Sequence, residues 1–246
     1  LYNQRPSVLV DLDDRFDLPS LNQKRGSSLM DGAPPEEGHD LYAEIQAGED
    51  GLRAMWSYTQ RENERHKRGN HAERGWHPES FACLGNHTDF LSRLAKRHHS
   101  LKSTFSTRTV ERIYEKYGTT PVPFLKPLIV AGTSFRHFEP AENRQAVGIE
   151  RFFGLNCMST VVGHHHRYKV RETVRPDGLR QTALICPTLK HPTRLVGRED
   201  SGVILARRMR GGDFRHEFVD MREILEEYRD HLMQHRRSQI FGGLAA

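Results

Sequence analysis

The stretch Phe81–His87, FACLGNH, is a short apolar run that stops at a glycine and is followed at once by polar side chains. The run Val161–His166, VVGHHH, has the same pattern, and a third apolar run, Ser7–Leu12, ends in acids. Short apolar runs with such boundaries are typical of buried strands. We therefore predict strands of a sheet that place Asp, Asn and His side chains at one edge, where the strands end.

Length and composition favour one large folded domain. The chain has 246 residues, 36% of them hydrophobic and 28% charged, and a chain of this length can bury a sizeable core. We predict a single domain over residues 1–246, with its core in residues 5–220, a helix over residues 221–235 and a frayed tail over residues 236–246.

The charge balance is mildly basic, with 37 Lys and Arg against 32 Asp and Glu and a net charge of +5. This excess favours phosphate-bearing partners but falls short of a dedicated nucleic-acid-binding protein. The basic run over residues 61–74 leaves nucleic-acid binding open as a hypothesis, with a solvated helix end as the alternative.

Cysteine usage and hydropathy predict the compartment. Cys83, Cys157 and Cys186 are widely separated and lie in apolar runs, which predicts buried free thiols in a reducing compartment. The sequence has no apolar run of the roughly 20 residues that span a bilayer. We predict a cytoplasmic protein without a membrane segment.

The pattern of residues along the chain predicts a mixed α/β protein. Helices are predicted over residues 40–66, with Asp40 as the N-cap, and over residues 88–98 and 107–117. Strands are predicted over residues 122–132, 134–138 and 159–162. Mostly antiparallel strands are predicted after these, over residues 168–174, 181–186, 202–208 and 214–220, with a turn at Gly211-Gly212 between the last two.

Five side chains that can bind metals follow predicted strands: Asp14, Asn86, His137, His164 and His166. Carboxylate, amide oxygen and imidazole are ligands of the divalent ions used in hydrolysis. In an extended segment His164 and His166 share one face, and His165 points away from it. His137 taken alone is better explained as a hydrogen-bonded residue at the end of a strand, and its place among the other blocks favours a ligand instead. The register of Asp11, Asp13 and Asp14 stays open by one residue.

In order and spacing these blocks resemble those of the calcineurin-like metallophosphoesterases. Leu12–Asp17, LDDRFD, is similar to the family's GDxxD block, Gly85–His87 to its GNH block and Gly163–His166 to its GHxH block, with His137 between the last two. The neighbouring segments 17–21, 122–127 and 159–164 resemble more specifically the branch common in bacteriophage genomes. The resemblance covers roughly residues 5–220.

The resemblance implies a hydrolase with a four-layer α/β/β/α sandwich and one or two divalent metal ions per chain, such as Mn, Fe, Zn or Ni. In that family two ions about 3.5 to 4 Å apart polarise a phosphoryl group and generate a hydroxide for attack. Asp14 is implied to bridge the two metals. Asn86, His137 and His164 are implied to complete one metal position, and His166 is implied to contribute to the other.

Two further residues receive roles through the resemblance. His87 is implied to lie near the scissile phosphate, where it stabilises charge or protonates the leaving oxygen, and Asp17 is implied to orient a ligand histidine or support the turn from the next shell of residues. The family's opening strand, which carries a DxH block, has no counterpart here, so we expect the sandwich to lack that strand. The implied substrate is a phosphomonoester or phosphodiester, which includes nucleotides and nucleic acids. The alternative is a catalytically degenerate binding or scaffold protein with the same fold.

Overall fold

A computed structural model of the chain describes residues 4–22, 40–69, 71, 74–143 and 145–229. The chain divides into two units, the first formed by Leu1–Leu128 with Phe135–Pro140 and the second by Ile129–Ser134 with Ala141–Ala246. Helices and several sheets occur along the chain, which confirms the mixed α/β class. The single domain and the four-layer sandwich stay predictions.

The first unit contains a parallel sheet of three strands. Its strands are β1 (Val8–Asp11), β2 (Glu79–Cys83) and β3 (Thr120–Val122), in the order β1-β2-β3. Parallel strands end at the same edge of a sheet, so the residues after β1 and after β2 emerge side by side. This edge carries both the Asp13-Asp14 turn and the Gly85-Asn86 turn.

Three helices accompany this sheet in the first unit: α1 (Leu41–Arg68), α2 (Asn86–Arg97) and α3 (Thr107–Lys116). Asp40 caps α1 as predicted, and its Oδ1 accepts hydrogen bonds from the backbone N–H groups of Tyr42 at 2.8 Å and Ala43 at 3.1 Å. The buried side chains that pack together here include Phe16, Leu18, Leu52, Leu84, Leu91, Leu94, Val110 and Tyr114.

Gly48 of α1 allows one close approach in this core. A Cβ atom at this position would overlap the ring of Phe16. The Phe16 ring also packs edge-on against Tyr114 of α3, with ring centroids 5.7 Å apart. Phe16 thereby anchors the segment after β1 to two helices.

The remaining strands lie in a five-stranded sheet and a hairpin. The sheet strands are β4 (Leu128–Val130), β5 (Thr133–Arg136), β6 (Thr160–Val162), β7 (Lys169–Val174) and β8 (Arg180–Ile185), in the order β4-β5-β6-β8-β7. The division into units falls within β4 and β5. β9 (Gly202–Arg210) and β10 (Asp213–Asp220) form the predicted hairpin. A short helix, α4 (Phe152–Leu155), packs in the second unit through Phe152 with Val162 and Ile185.

Three sequence predictions are wrong in detail. The strand predicted over residues 122–132 is two short strands in different sheets, because Pro123 and Pro127 have no N–H to donate and a turn bonds Lys126 N to Pro123 O at 2.9 Å. α2 begins at Asn86 rather than at residue 88. Cys157 is exposed rather than buried.

The C-terminal helix is confirmed in part, since residues 221–229 are helical. The remainder of the predicted helix, to residue 235, and the predicted tail lie outside the described residues. No helix in the described ranges combines the length and apolar character that a membrane-spanning segment needs.

Candidate metal centre

Three carboxylates lie within four residues, at the end of β1 and in the turn that follows it. Asp13 and Asp14 both adopt left-handed backbone conformations, with φ of 59° and 67°, a region that Asp tolerates better than most residues with a Cβ. Asp11 lies on β1 and accepts two hydrogen bonds from the Arg15 guanidinium, at 3.1 and 2.8 Å. The sharp turn gives each carboxylate different partners, which resolves the open register.

Asp13 is a buried structural carboxylate. Its Oδ2 accepts hydrogen bonds from Gly85 N at 2.6 Å and Thr88 Oγ1 at 2.7 Å, and its Oδ1 accepts one from Tyr114 Oη at 2.8 Å. Gly85 is the N-cap of α2, where a negative charge is favoured by the helix dipole. Asp13 therefore joins the end of β1 to the start of α2 and to α3, and its oxygens are already engaged.

The clustering of negative charge affects Asp13 itself. Burial raises the pKa of Asp13, and the charges of Asp11 and Asp14 raise it further, although the hydrogen bonds from Gly85 and Thr88 oppose the shift. Adjacent carboxylates repel each other at this short range. The turn therefore favours a positive charge near Asp14.

His137 is held at the same edge by the backbone. It directly follows β5, has a side chain only 1% exposed, and places Nδ1 2.6 Å from the carbonyl oxygen of Leu12. A carbonyl oxygen only accepts, so Nδ1 carries the hydrogen and Nε2 is the atom left for other partners. Nε2 lies 2.9 Å from Asn86 Oδ1 and 3.3 Å from Asp14 Oδ2.

Three lone-pair atoms therefore converge in the first unit: Asp14 Oδ2, Asn86 Oδ1 and His137 Nε2. Such a set is stable only with a proton or a cation among its members. Burial lowers the pKa of His137, but the hydrogen bond and charge of Asp14 outweigh burial and raise it. A proton on Nε2 and a metal ion thus compete for the same position.

The chemistry of these donors fits a divalent ion. One carboxylate, one amide oxygen and one imidazole are compatible with Mn, Fe, Zn or Ni. Gly85 leaves room around these ligand atoms, because a Cβ added at this position would lie 2.5 Å from Asp14 Oδ1 and 3.0 Å from His137 Nδ1. The edge of the parallel sheet can therefore hold a metal, and any side chain at position 85 would crowd it.

His87 lies beside this group, on the first turn of α2. Its Nδ1 is 2.9 Å from Asp17 Oδ1, and its ring stacks on Phe90 at a centroid distance of 5.2 Å. Burial lowers the pKa of His87, yet the contact with Asp17 and the charge of Asp14 raise it overall. Asp17 thus contacts His87, which is outside the predicted ligand set, and its role toward a ligand histidine stays a prediction.

His164 and His166 lie in the second unit, directly after β6. Both have left-handed backbones, with φ of 62° and 53°, so the extended conformation assumed from the sequence is wrong. His164 contacts His165 edge-on, with ring centroids 5.4 Å apart. Nδ1 of His166 is 2.8 Å from Glu199 Oε1. The assignment of His164 and His166 as metal ligands stays a prediction.

Protein-family models, curated proteins and solved structures give no match to this chain. The hydrogen bonds of Asp13 to Gly85, Thr88 and Tyr114 and the pairing of Glu199 with His166 were not predicted from the sequence. The acid-rich end of the first apolar run pointed to Asp13, whereas the loop that contains Glu199 carries no recognisable motif.

Proposed function

We propose that the chain is a metal-dependent phosphoesterase that hydrolyses a phosphomonoester or phosphodiester. The observation that supports this most is the convergence of Asp14 Oδ2, Asn86 Oδ1 and His137 Nε2 within hydrogen-bonding range. His87 directly follows Asn86 in the chain, and its Nδ1 contacts Asp17 Oδ1. A metal position beside a histidine with a raised pKa is the combination that hydrolysis of a phosphate ester needs.

Each residue has a separate task in this proposal. Asp14, Asn86 and His137 would hold the divalent ion, which would polarise the phosphoryl group and lower the pKa of water at the site. Asp14 supplies the negative charge that holds the ion, and Asn86 supplies a neutral oxygen. The Leu12 carbonyl keeps His137 in the tautomer that offers Nε2.

His87 acts on the leaving group. Asp17 contacts its Nδ1 and, with the charge of Asp14, raises its pKa, which favours the protonated ring whose Nε2 proton can pass to the oxygen of the departing alcohol. As water forms its bond to phosphorus, the bond to the leaving oxygen breaks, and transfer of this proton to that oxygen releases an alcohol rather than a free alkoxide. The ring is kept in place by its stack on Phe90.

The basic test is metal-dependent hydrolysis. With Mn²⁺ the purified chain is expected to hydrolyse p-nitrophenyl phosphate or bis(p-nitrophenyl) phosphate, to lose this activity in EDTA and to recover it when Mn²⁺ is restored. Elemental analysis is expected to find one or two ions per chain. If the metal-loaded chain hydrolyses neither ester, the degenerate binding or scaffold protein becomes the better account.

Replacement of His87 by glutamine is expected to lower kcat by about a hundredfold for an alkyl phosphate ester. The effect on a p-nitrophenyl ester is expected to be much smaller, because p-nitrophenolate leaves without protonation. The metal content should not change, because His87 contributes none of the three converging ligand atoms. Steady-state kinetics on the two ester types, with metal analysis, measure both effects.

Asp17→Asn is the companion variant for His87. Loss of the Asp17 charge lowers the pKa of His87, and the acid acts only while protonated, so the alkaline limit of activity is expected to move to lower pH. Equal losses on both ester types, or an unchanged pH profile, would contradict the assignment of His87 as the acid.

A further inference from the structure

The second unit contains a histidine–carboxylate pair that the proposed site does not include. His166 Nδ1 lies 2.8 Å from Glu199 Oε1, and the His166 side chain is 30% exposed. Among the described residues, no partner lies within hydrogen-bonding distance of His166 Nε2. One ring nitrogen is thus engaged with the protein, and the other is left for a ligand.

Glu199 is itself firmly held. Its Oε1 also accepts from Lys190 Nζ at 2.8 Å, and its Oε2 accepts from the backbone N–H of Val196 at 3.0 Å. The charge of Lys190 and these two donors favour the ionised form of Glu199. The ionised carboxylate only accepts, so Nδ1 of His166 must donate.

The backbone of His166 is fixed by Asp200, the residue that follows Glu199. Asp200 N donates to His166 O at 2.8 Å, and Asp200 Oδ2 accepts from Tyr168 N at 2.8 Å. The left-handed conformation of His166 is unfavourable for a residue with a Cβ and persists only where the surroundings hold it. The adjacent residues Glu199 and Asp200 therefore hold the ring and the main chain of His166 together.

We infer that Glu199 is a positioning residue that fixes His166 as the Nδ1–H tautomer and presents its Nε2 as a metal-binding atom. Histidines that bind metals characteristically donate their second ring N–H to a carboxylate or a carbonyl. His137 has that arrangement through a backbone carbonyl, and His166 has it through a side chain. The inference rests on the proposed function for the class of ligand, a divalent metal ion.

The tautomer can be measured directly. In ¹⁵N NMR spectra of the full chain, recorded without metal at a pH where His166 is neutral, its signals are expected to show the Nδ1–H form. Glu199→Ala is expected to shift His166 toward the Nε2–H form that free imidazole prefers. Lys190→Ala removes a neighbour of Glu199 without removing the carboxylate, so it should leave the tautomer unchanged.

Mn²⁺ provides the second measurement, because it broadens the NMR signals of nearby nuclei. Addition of Mn²⁺ is expected to broaden the His166 ring signals of the wild-type chain. In Glu199→Ala the same broadening should need about tenfold to a hundredfold more Mn²⁺. Glu217→Ala, which removes only an exposed partner of Arg207 at 3.6 Å, is the matched control and should behave as wild type.

The outcomes separate this inference from the proposed function. A wild-type His166 in the Nε2–H form, or His166 signals that Mn²⁺ leaves sharp, would overturn the role of Glu199 whatever the activity. A chain with the expected tautomer and broadening but no hydrolysis would count against the phosphoesterase and leave the role of Glu199 intact.

Discussion

Replacement of Asp14 by alanine is expected to weaken Mn²⁺ binding by on the order of a hundredfold or more, since even residues that only support metal ligands contribute tenfold to a hundredfold. Hydrolysis is expected to fall by about a thousandfold, the scale of losing a group that stabilises charge in the transition state. The reason is geometric. Asp14 supplies the negative charge among the converging atoms, while Asn86 and His137 are neutral ligands.

Stability measurements distinguish this role from a structural one. Without metal, Asp14→Asn is expected to change the free energy of unfolding by less than about 1 kcal/mol, because it removes charge repulsion from Asp11 and Asp13, and Asn tolerates a left-handed backbone. With Mn²⁺, the wild-type Tm should rise and the variant's should not. Asp50→Asn, on the exposed side of α1, is the control. A normal Mn²⁺ response in Asp14→Ala would remove Asp14 from the site.

Replacement of Asp13 by alanine is expected to lower the free energy of unfolding by about 3 to 5 kcal/mol, the range for breaking a buried charged network. Three donors lose their acceptor at once: Gly85 N, Thr88 Oγ1 and Tyr114 Oη. The side chains of Thr88 and Tyr114 are fully buried, so water cannot readily replace the carboxylate. Urea unfolding monitored by circular dichroism measures the loss.

Single-bond variants calibrate the effect of Asp13. Tyr114→Phe and Thr88→Val each remove one hydrogen bond to the carboxylate and are expected to cost about 1 kcal/mol apiece. Asp13→Ala should lower the free energy of unfolding by more than the sum of these two effects, because it also leaves the Gly85 N–H without its acceptor. An Asp13→Ala variant as stable as the wild type would show that α2 and α3 do not depend on this contact.

The strand ends could be predicted from sequence because they depend on local patterns. Apolar runs that stop at a glycine or an acid located β1, β2 and β6 to within about two residues, the usual uncertainty at element ends. The placement of Asn86 beside Asp14 followed from the rule that parallel strands share an edge. The first inference needed only neighbours in the chain, and the second added one general rule of sheet topology.

The features that were predicted wrongly or not at all depend on contacts between residues distant in sequence or on individual dihedral angles. Asp13 is separated from Tyr114 by 101 positions, and no local pattern shows that the two meet. The left-handed backbones of His164 and His166 oppose the usual preference of residues with a Cβ, so alternation predicted an extended segment. The predicted strand over residues 122–132 is divided by Pro123 and Pro127, because proline cannot donate to the hydrogen-bond ladder of a sheet.

The packing of Phe16 against Gly48 has a consequence for ligand affinity. Phe16 lies between Asp14 and Asp17 in sequence, and its ring is fixed between α1 and Tyr114. The carboxylate-bearing loop is therefore preorganised, and a ligand that arrives does not have to freeze a mobile segment. Binding to preorganised groups loses less conformational entropy, so at the proposed site the affinity for a metal would depend partly on Gly48, in a helix that contributes none of the proposed ligands.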